Sequence, residues 1–214
     1  MSNLSENGDK NKIKSLKLML VGEAAVGKSS IMYRYTQNTF TYSMLGTAGI
    51  DFKKKDVVVD DTKIKIVLFD TAGHDRFRKI IKNHCRGANG IVIVYDVSEE
   101  SSIEKLSNWM TDIQENADKD VELLLLGNKV DIAERKISEE QSKELSQRLN
   151  IPMLETSAKT GFNIEEAFDL IINNILKKEK FETEKTTENR ETPVIQQKIV
   201  TKKKKEEGCQ CLIF

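Results

Sequence analysis

The sequence predicts an α/β domain with a mainly parallel sheet, and three observations carry that reading. Short, nearly uninterrupted apolar runs alternate with stretches of helical periodicity, as buried parallel strands alternate with the helices that cover them. The first run opens directly into Gly22-Glu23-Ala24-Ala25-Val26-Gly27-Lys28-Ser29, a phosphate loop of the form G-x-x-x-x-G-K-S. The polar motifs that follow fall at the carboxyl ends of later runs, where open α/β sheets bind their ligands.

Taken in order, Lys17–Val21 is the strand that feeds the phosphate loop, and Ser29–Gln37 is the helix that leaves it. A polar, turn-prone stretch reaches Gly49. Asp51–Val59 and Lys63–Asp70 alternate apolar with polar residues around Asp60-Asp61, which predicts a hairpin. Gly90–Val97 and Val121–Gly127 are central strands, and Ile151–Thr156 is a shorter one. Helical periods lie between them at Ser101–Ala117, Ser138–Asn150 and Asn163–Lys180, the second opened by an N-cap at Ser138 with Gln141 three residues on. No internal repeat interrupts this order.

The chain of 214 residues has room for one domain with a real core and a tail. Residues 1–14 read as a disordered lead, 15–180 as the domain and 181–214 as a flexible tail rich in Thr, Glu, Lys and Gln. The formal net charge is zero, so no global field points to nucleic acid. Three cysteines, two of them among the last six residues, make no disulfide framework and fit a reducing compartment. No apolar run approaches the ~20 residues of a membrane span, and residues 1–12 lack the apolar core of a signal peptide. These features point to the cytosol.

Each motif implies a chemical task. The backbone N–H groups of Gly22, Ala25, Val26, Gly27, Lys28, Ser29 and Ser30, with the start of the following helix, form an anion cradle. Lys28 would reach the β- and γ-phosphates, and the Ser29 hydroxyl would ligate Mg²⁺. Asp70-Thr71-Ala72-Gly73 ends a strand; Asp70 would hold Mg²⁺, and the Gly73 N–H would face the γ-phosphate. Thr47 is a second candidate hydroxyl for Mg²⁺, engaged only while the γ-phosphate is present, which is how one phosphate can order a loop. Asn128-Lys129-Val130-Asp131 identifies the base. A carboxylate accepts two hydrogen bonds, and guanine offers N1–H and its 2-amino group side by side. Asp131 would thus select GTP and GDP against ATP. The Lys129 stem would cover the base, and in Ser157-Ala158-Lys159 the Ala158 N–H would meet guanine O6.

With these motifs in place, the chain resembles a Ras-superfamily small GTPase, and within that superfamily a Rab protein. The Rab-like stretches are Ala48-Gly49-Ile50-Asp51-Phe52, Asp75-Arg76-Phe77-Arg78, Arg86-Gly87-Ala88 and Tyr95-Asp96, and the resemblance covers residues 16–178. It implies a P-loop fold with a six-stranded sheet, one edge strand antiparallel, flanked by helices. It implies a switch I loop over residues 39–49, a switch II segment from Gly73 to about Arg86, and Phe40 packing its ring edge on the guanine. The implied activity is hydrolysis of GTP to GDP by a monomer that regulates vesicle trafficking. The implied partners are effectors, an exchange factor, an activating protein, a GDP-dissociation inhibitor and the prenylation machinery.

The chain departs from the family pattern at several positions. His74 stands where a glutamine usually orients the attacking water, so slow intrinsic hydrolysis is expected. An activating protein of the TBC type would offset this, since an arginine supplied in trans can contribute roughly 10³–10⁵ in rate. Ala24 replaces a common serine of the phosphate loop, Met44 an aromatic cover, Ala48 an isoleucine, Phe69 a tryptophan, and His84-Cys85 an aromatic pair. Two alternatives follow: a persistently GTP-bound recruitment module, motivated by His74 and Ala24, and a Ras- or Rho-like switch at the plasma membrane, motivated by the tail.

That tail ends in Cys211-Leu212-Ile213-Phe214, a C-a-a-X sequence that favours geranylgeranylation of Cys211, with Cys209 as a second lipidation site. Lys202–Lys205 would add attraction to an anionic leaflet, about 1 kcal/mol per charge, which Glu206 and Glu207 partly offset. The expected location is therefore the cytoplasmic face of an intracellular membrane, held by lipid, with a cytosolic pool.

Overall fold

Along β1 (Lys14–Val21), Leu16, Leu18 and Leu20 face one way and Met19 and Val21 the other, and all five are fully buried. A strand apolar on both faces must be covered on both faces. The computed structural model, which describes residues 13–44, 46–73 and 78–188, meets that requirement with helices on either side of one sheet. The sheet comprises β1, β2 (Ile50–Val59), β3 (Thr62–Thr71), β4 (Gly90–Asp96), β5 (Glu122–Asn128) and β6 (Met153–Thr156), in the order β2-β3-β1-β4-β5-β6. Only the β2–β3 pair is antiparallel. Residues Asp60 and Asp61, both with positive φ, turn that hairpin.

On one face the even residues of β1 meet Ile64, Ile66, Leu68, Val92, Val94, Leu124 and Leu126, under Ile31, Met32 and Tyr35 of α1 (Lys28–Gln37) and the apolar stripe of α6 (Ile164–Glu188). On the other face Met19, Val21, Ile91, Ile93, Tyr95 and Leu125 are covered by α4 (Leu106–Asn116) and α5 (Glu139–Leu149). Cys85, at the end of α2 (Arg78–Cys85), packs there too. The parallel registers align Asp96 with Asn128 and Asn128 with Thr156, while Leu20 is level with Asp70. The polar strand ends therefore form one row at a single edge of the sheet.

Several boundaries differ from those expected. Ser101–Ala117 is two helices, α3 (Glu100–Glu104) and α4, separated at Lys105. Residues 78–85, expected only as part of a switch segment, form α2. Strand β6 starts after Pro152 rather than at Ile151, because proline brings no N–H to a ladder. Helix α6 begins at Ile164 behind a left-handed Asn163 and continues past Lys180 to Glu188, through Glu- and Lys-rich sequence that favours helix and holds no Gly or Pro. The expected N-cap is present: the Ser138 side chain accepts from the Gln141 N–H, and the Gln141 side chain accepts from the Ser138 N–H. The chain divides into two units, Met1–Lys178 and Glu179–Phe214, the second described only through the end of α6. No described helix is long and apolar enough to cross a membrane.

Tyr35 links the core to its cover. Its ring stacks on Phe168 with centroids 3.7 Å apart, and the Lys55 ammonium lies 3.8 Å from the ring centre on an edge strand. Its hydroxyl is buried with no hydrogen-bond partner among the described residues. Removing only that hydroxyl is therefore expected to do no harm: Tyr35→Phe should leave the urea unfolding free energy unchanged or raise it by about 1 kcal/mol. Phe168→Ala should lower it by about 3–5 kcal/mol. A clear loss in Tyr35→Phe would mean that the hydroxyl has a partner in solution.

Candidate functional site

The phosphate loop owes its shape to three backbone positions. Gly27, with φ 101°, lies so close to Asn128 that a Cβ would sit 2.2 Å from the Asn128 amide nitrogen. Ala25 also takes a left-handed φ of 64°, which its small side chain tolerates. A Cβ on Gly73 would fall 2.2 Å from the backbone of Glu23 and Ala24, so the strand end of β3 lies directly against the loop. Gly27 brings no side chain to cap α1, which leaves the first helical N–H groups to an anion.

Lys28 is 5% exposed, and its ammonium donates to the carbonyls of Gly22 at 2.8 Å and Glu23 at 2.6 Å. Burial lowers its pKa to about 8, although the charges of Asp70 and Glu23 oppose the shift. Asp70 is 1% exposed, and its Oδ2 accepts from Ser29 Oγ at 2.5 Å and from Thr47 Oγ1 at 2.8 Å. The two hydroxyl oxygens are 2.8 Å apart. Burial raises the Asp70 pKa, against the Ser29 and Thr47 hydrogen bonds and the Lys28 charge. Its other oxygen, Oδ1, is buried without a hydrogen-bond partner among the described residues. A hard cation that takes one carboxylate, hydroxyls and phosphate oxygens fits this donor set, as Mg²⁺ does in nucleotide sites. No group of three or more His, Cys, Asp or Glu suited to a metal occurs among the described residues, so no all-protein cage competes with this arrangement.

The residues expected to recognise the base stand across the same cleft, of about 440 Å³, whose lining includes Lys28, Ser29, Ser30, Phe40, Thr47, Gly73, Asn128, Lys129, Asp131, Ala158 and Lys159. Asn128 donates to the Val26 carbonyl at 2.8 Å, tying the end of β5 to the phosphate loop. Its Oδ1 accepts from the Ala158 N–H at 3.2 Å, so that N–H, expected on the base, here rests on Asn128. Asp131 Oδ1 accepts from Ser157 Oγ at 2.5 Å, and the Lys159 ammonium lies 3.6 Å from Oδ2. Lys129 pairs with Asp96 at 2.6 Å, which holds its stem along the cleft wall. Phe40 packs partly against the core and meets Tyr42 edge-on, with ring centroids 5.1 Å apart. Gly22, Val26 and Ser157 stand behind the lining and support it.

Two residues that the sequence reading passed over are part of this architecture. Arg34, on α1, donates from Nε to the Ala158 carbonyl at 2.8 Å and from Nη2 to the Lys159 carbonyl at 2.7 Å, so it fixes the loop after β6. Glu23 accepts from the Trp109 indole at 3.0 Å and from Lys105 at 3.0 Å. A carboxylate inside a phosphate loop was the available signal for Glu23, since it needs a reason not to repel the ligand. His74, Lys202–Lys205, Cys209 and Cys211 lie outside the described residues.

Comparisons with known proteins bear on this geometry. The model of the Ras family matches residues 17–177. The chain is 45% identical to the Ras-related protein Rab-13 of Canis lupus familiaris over 163 residues, 76% of this chain and 80% of that protein. It is 43% identical to Rab-8 of Diplobatis ommata and 42% identical to Rab-8B of Homo sapiens over the same length, 78% and 79% of those proteins respectively.

The buried ammonium predicts a pH signature. The unfolded chain keeps the Lys28 proton up to its ordinary value of 10.5, whereas the folded domain releases it near pH 8. Between those values the unfolded state binds more protons, so this group makes stability rise with pH. In nucleotide-free protein with EDTA, urea unfolding at pH 7.5 and pH 10 should show a rise in the parent that shrinks in Lys28→Met. An identical rise in both proteins would mean that Lys28 titrates normally.

Proposed function

Because the chain belongs to the Ras family of small GTPases, and within it to the Rab proteins, we propose that it works as a membrane-bound, nucleotide-controlled switch in vesicle trafficking. In the GTP form its switch loops are ordered and recruit effectors; hydrolysis to GDP releases them. The observation that carries this reading is the convergence in one cleft of Lys28, Asp131, and the Ser29 and Thr47 hydroxyls that donate to Asp70. Phosphate recognition and guanine recognition are thus built from different strand ends of the same sheet.

The protein has little covalent chemistry to do in such a reaction. Lys28 would exchange its two carbonyl acceptors for phosphate oxygens and stabilise charge as the γ-phosphoryl leaves. Loop N–H groups and the start of α1 would hold the β-phosphate. Ser29, Thr47 and Asp70 would hold Mg²⁺, which when bound neutralises the phosphate charge. Thr47 is the only one of the three on the loop before β2, so its attachment at Asp70 links that loop to the state of the phosphate site. Asp131, oriented by Ser157, would select guanine, with Lys129 beside the ring.

The tail would supply location. Cys209 and Cys211 would carry the lipid, with Lys202–Lys205 assisting at an anionic surface on the cytoplasmic face of an intracellular membrane. The expected partners are effectors, an exchange factor, an activating protein and a GDP-dissociation inhibitor.

Two measurements test this reading. Asp131→Asn should lower affinity for GDP at least tenfold and raise preference for xanthosine diphosphate, because the amide exchanges an acceptor for a donor; unchanged GDP affinity would refute the base assignment. Single-turnover GTP hydrolysis should be faster in His74→Gln than in the parent, and a TBC-type activating domain should accelerate both. A parent that stays slow with the activator while His74→Gln responds would favour a persistently GTP-bound recruitment platform.

A further inference from the structure

Glu23 sets an electrostatic problem inside the phosphate loop. Its carbonyl accepts the Lys28 ammonium, and its backbone touches Gly73, so its main chain is part of the phosphate site. Its side chain nevertheless carries the same sign of charge as the ligand. Glu23 is not among the residues that line the main cleft, and its carboxylate is held by two donors, one on α4 and one at the α3–α4 junction. Trp109, 2% exposed, gives its indole N–H to Oε1, and Lys105 places its ammonium on Oε2, each at 3.0 Å. Lys105 sits where α3 gives way to α4. Beside this clamp lies a cavity of about 490 Å³ whose lining includes Glu23, Ala24, Ala25, Gly73 and Lys129 on the loop side and Asp96 and Glu99 opposite. A released carboxylate therefore has room to move, and the other two carboxylates favour the loop side.

We infer that Trp109 and Lys105 are positioning residues for nucleotide binding, which act by holding the Glu23 charge away from the phosphates. The inference rests on the proposal that the loop binds a guanine nucleotide. Loss of either donor leaves a charge of the wrong sign beside the ligand, and the penalty grows with the number of phosphates. Removing the charge itself relieves it.

The test is release of fluorescently labelled GDP and of a non-hydrolysable, labelled GTP analogue. Trp109→Phe should speed release roughly tenfold or more, since a hydrogen bond to a charged group is lost. Lys105→Met, at a half-exposed lysine, should speed it by about twofold to fivefold. In both variants the triphosphate should be affected more than the diphosphate. Adding Glu23→Gln should restore slow release in either background, because the amide carries no charge to repel the phosphates. A purely structural role for Trp109 would not be rescued in this way. Equal effects on the two nucleotides, or no rescue by Glu23→Gln, would overturn the inference. If Trp109→Phe does not fold, the Lys105→Met pair decides alone. Failure of the parent protein to retain either nucleotide would instead overturn the functional reading beneath it.

Discussion

Two buried groups of opposite charge, each resting on neutral hydrogen-bond partners, govern this molecule. Lys28 and Asp70 are both almost fully enclosed, yet the ammonium rests on two carbonyls and the carboxylate on two hydroxyls. Burial pushes the ammonium toward releasing its proton and the carboxylate toward taking one. Neutral hydrogen-bond partners only partly compensate a buried charge. A phosphate beside Lys28 and a divalent cation beside Asp70 would reverse both shifts at once. Any ligand that binds the folded chain and not the unfolded one adds to its stability. In this site, the ligand would also relieve a cost that burial imposes on both charges, which ties folding, binding and the position of Thr47 to one event.

Much of this arrangement was legible in the sequence, because its determinants are local. A buried strand, a glycine-rich turn and a helix start lie within one short segment, and the residues that shape the loop are those expected to touch the phosphate. The strand ends were legible for a related reason. Once apolar runs are assigned to parallel strands, chain direction alone places Asp70, Asn128 and Thr156 at the same edge. The side chains of β1 then distribute themselves by simple alternation, and the two cores follow.

The missing pieces are those that depend on distance across the fold. Arg34 reaches the carbonyls of Ala158 and Lys159, and Trp109 reaches Glu23, between segments remote in sequence. Nothing in the local pattern around an arginine on an amphipathic helix announces such a contact. The break at Lys105 was hidden because Ile103, Leu106, Trp109, Met110 and Ile113 keep helical spacing across it. Periodicity reports which side is buried and does not register a single residue that interrupts the hydrogen-bond ladder. Helix α2 spans only 8 residues, too few for apolar spacing alone to distinguish it from the switch segment around it.

These long contacts also change how the site should be understood. The base side and the phosphate side are not separate modules joined by a ligand. Asn128 holds the Val26 carbonyl with one end of its amide and the Ala158 N–H with the other. Gly27 lies too close to that amide for any side chain to intervene. Arg34 ties the first turns after the phosphate loop to the loop after β6. A displacement of Asn128 by the base would therefore be felt at Val26, within the anion cradle itself. Packed elements with discrete arrangements transmit such small shifts because they do not deform continuously. In the proposed switch, guanine selection and phosphate sensing would then share one structural element, and a nucleotide with the wrong base would present its phosphates to a misaligned loop.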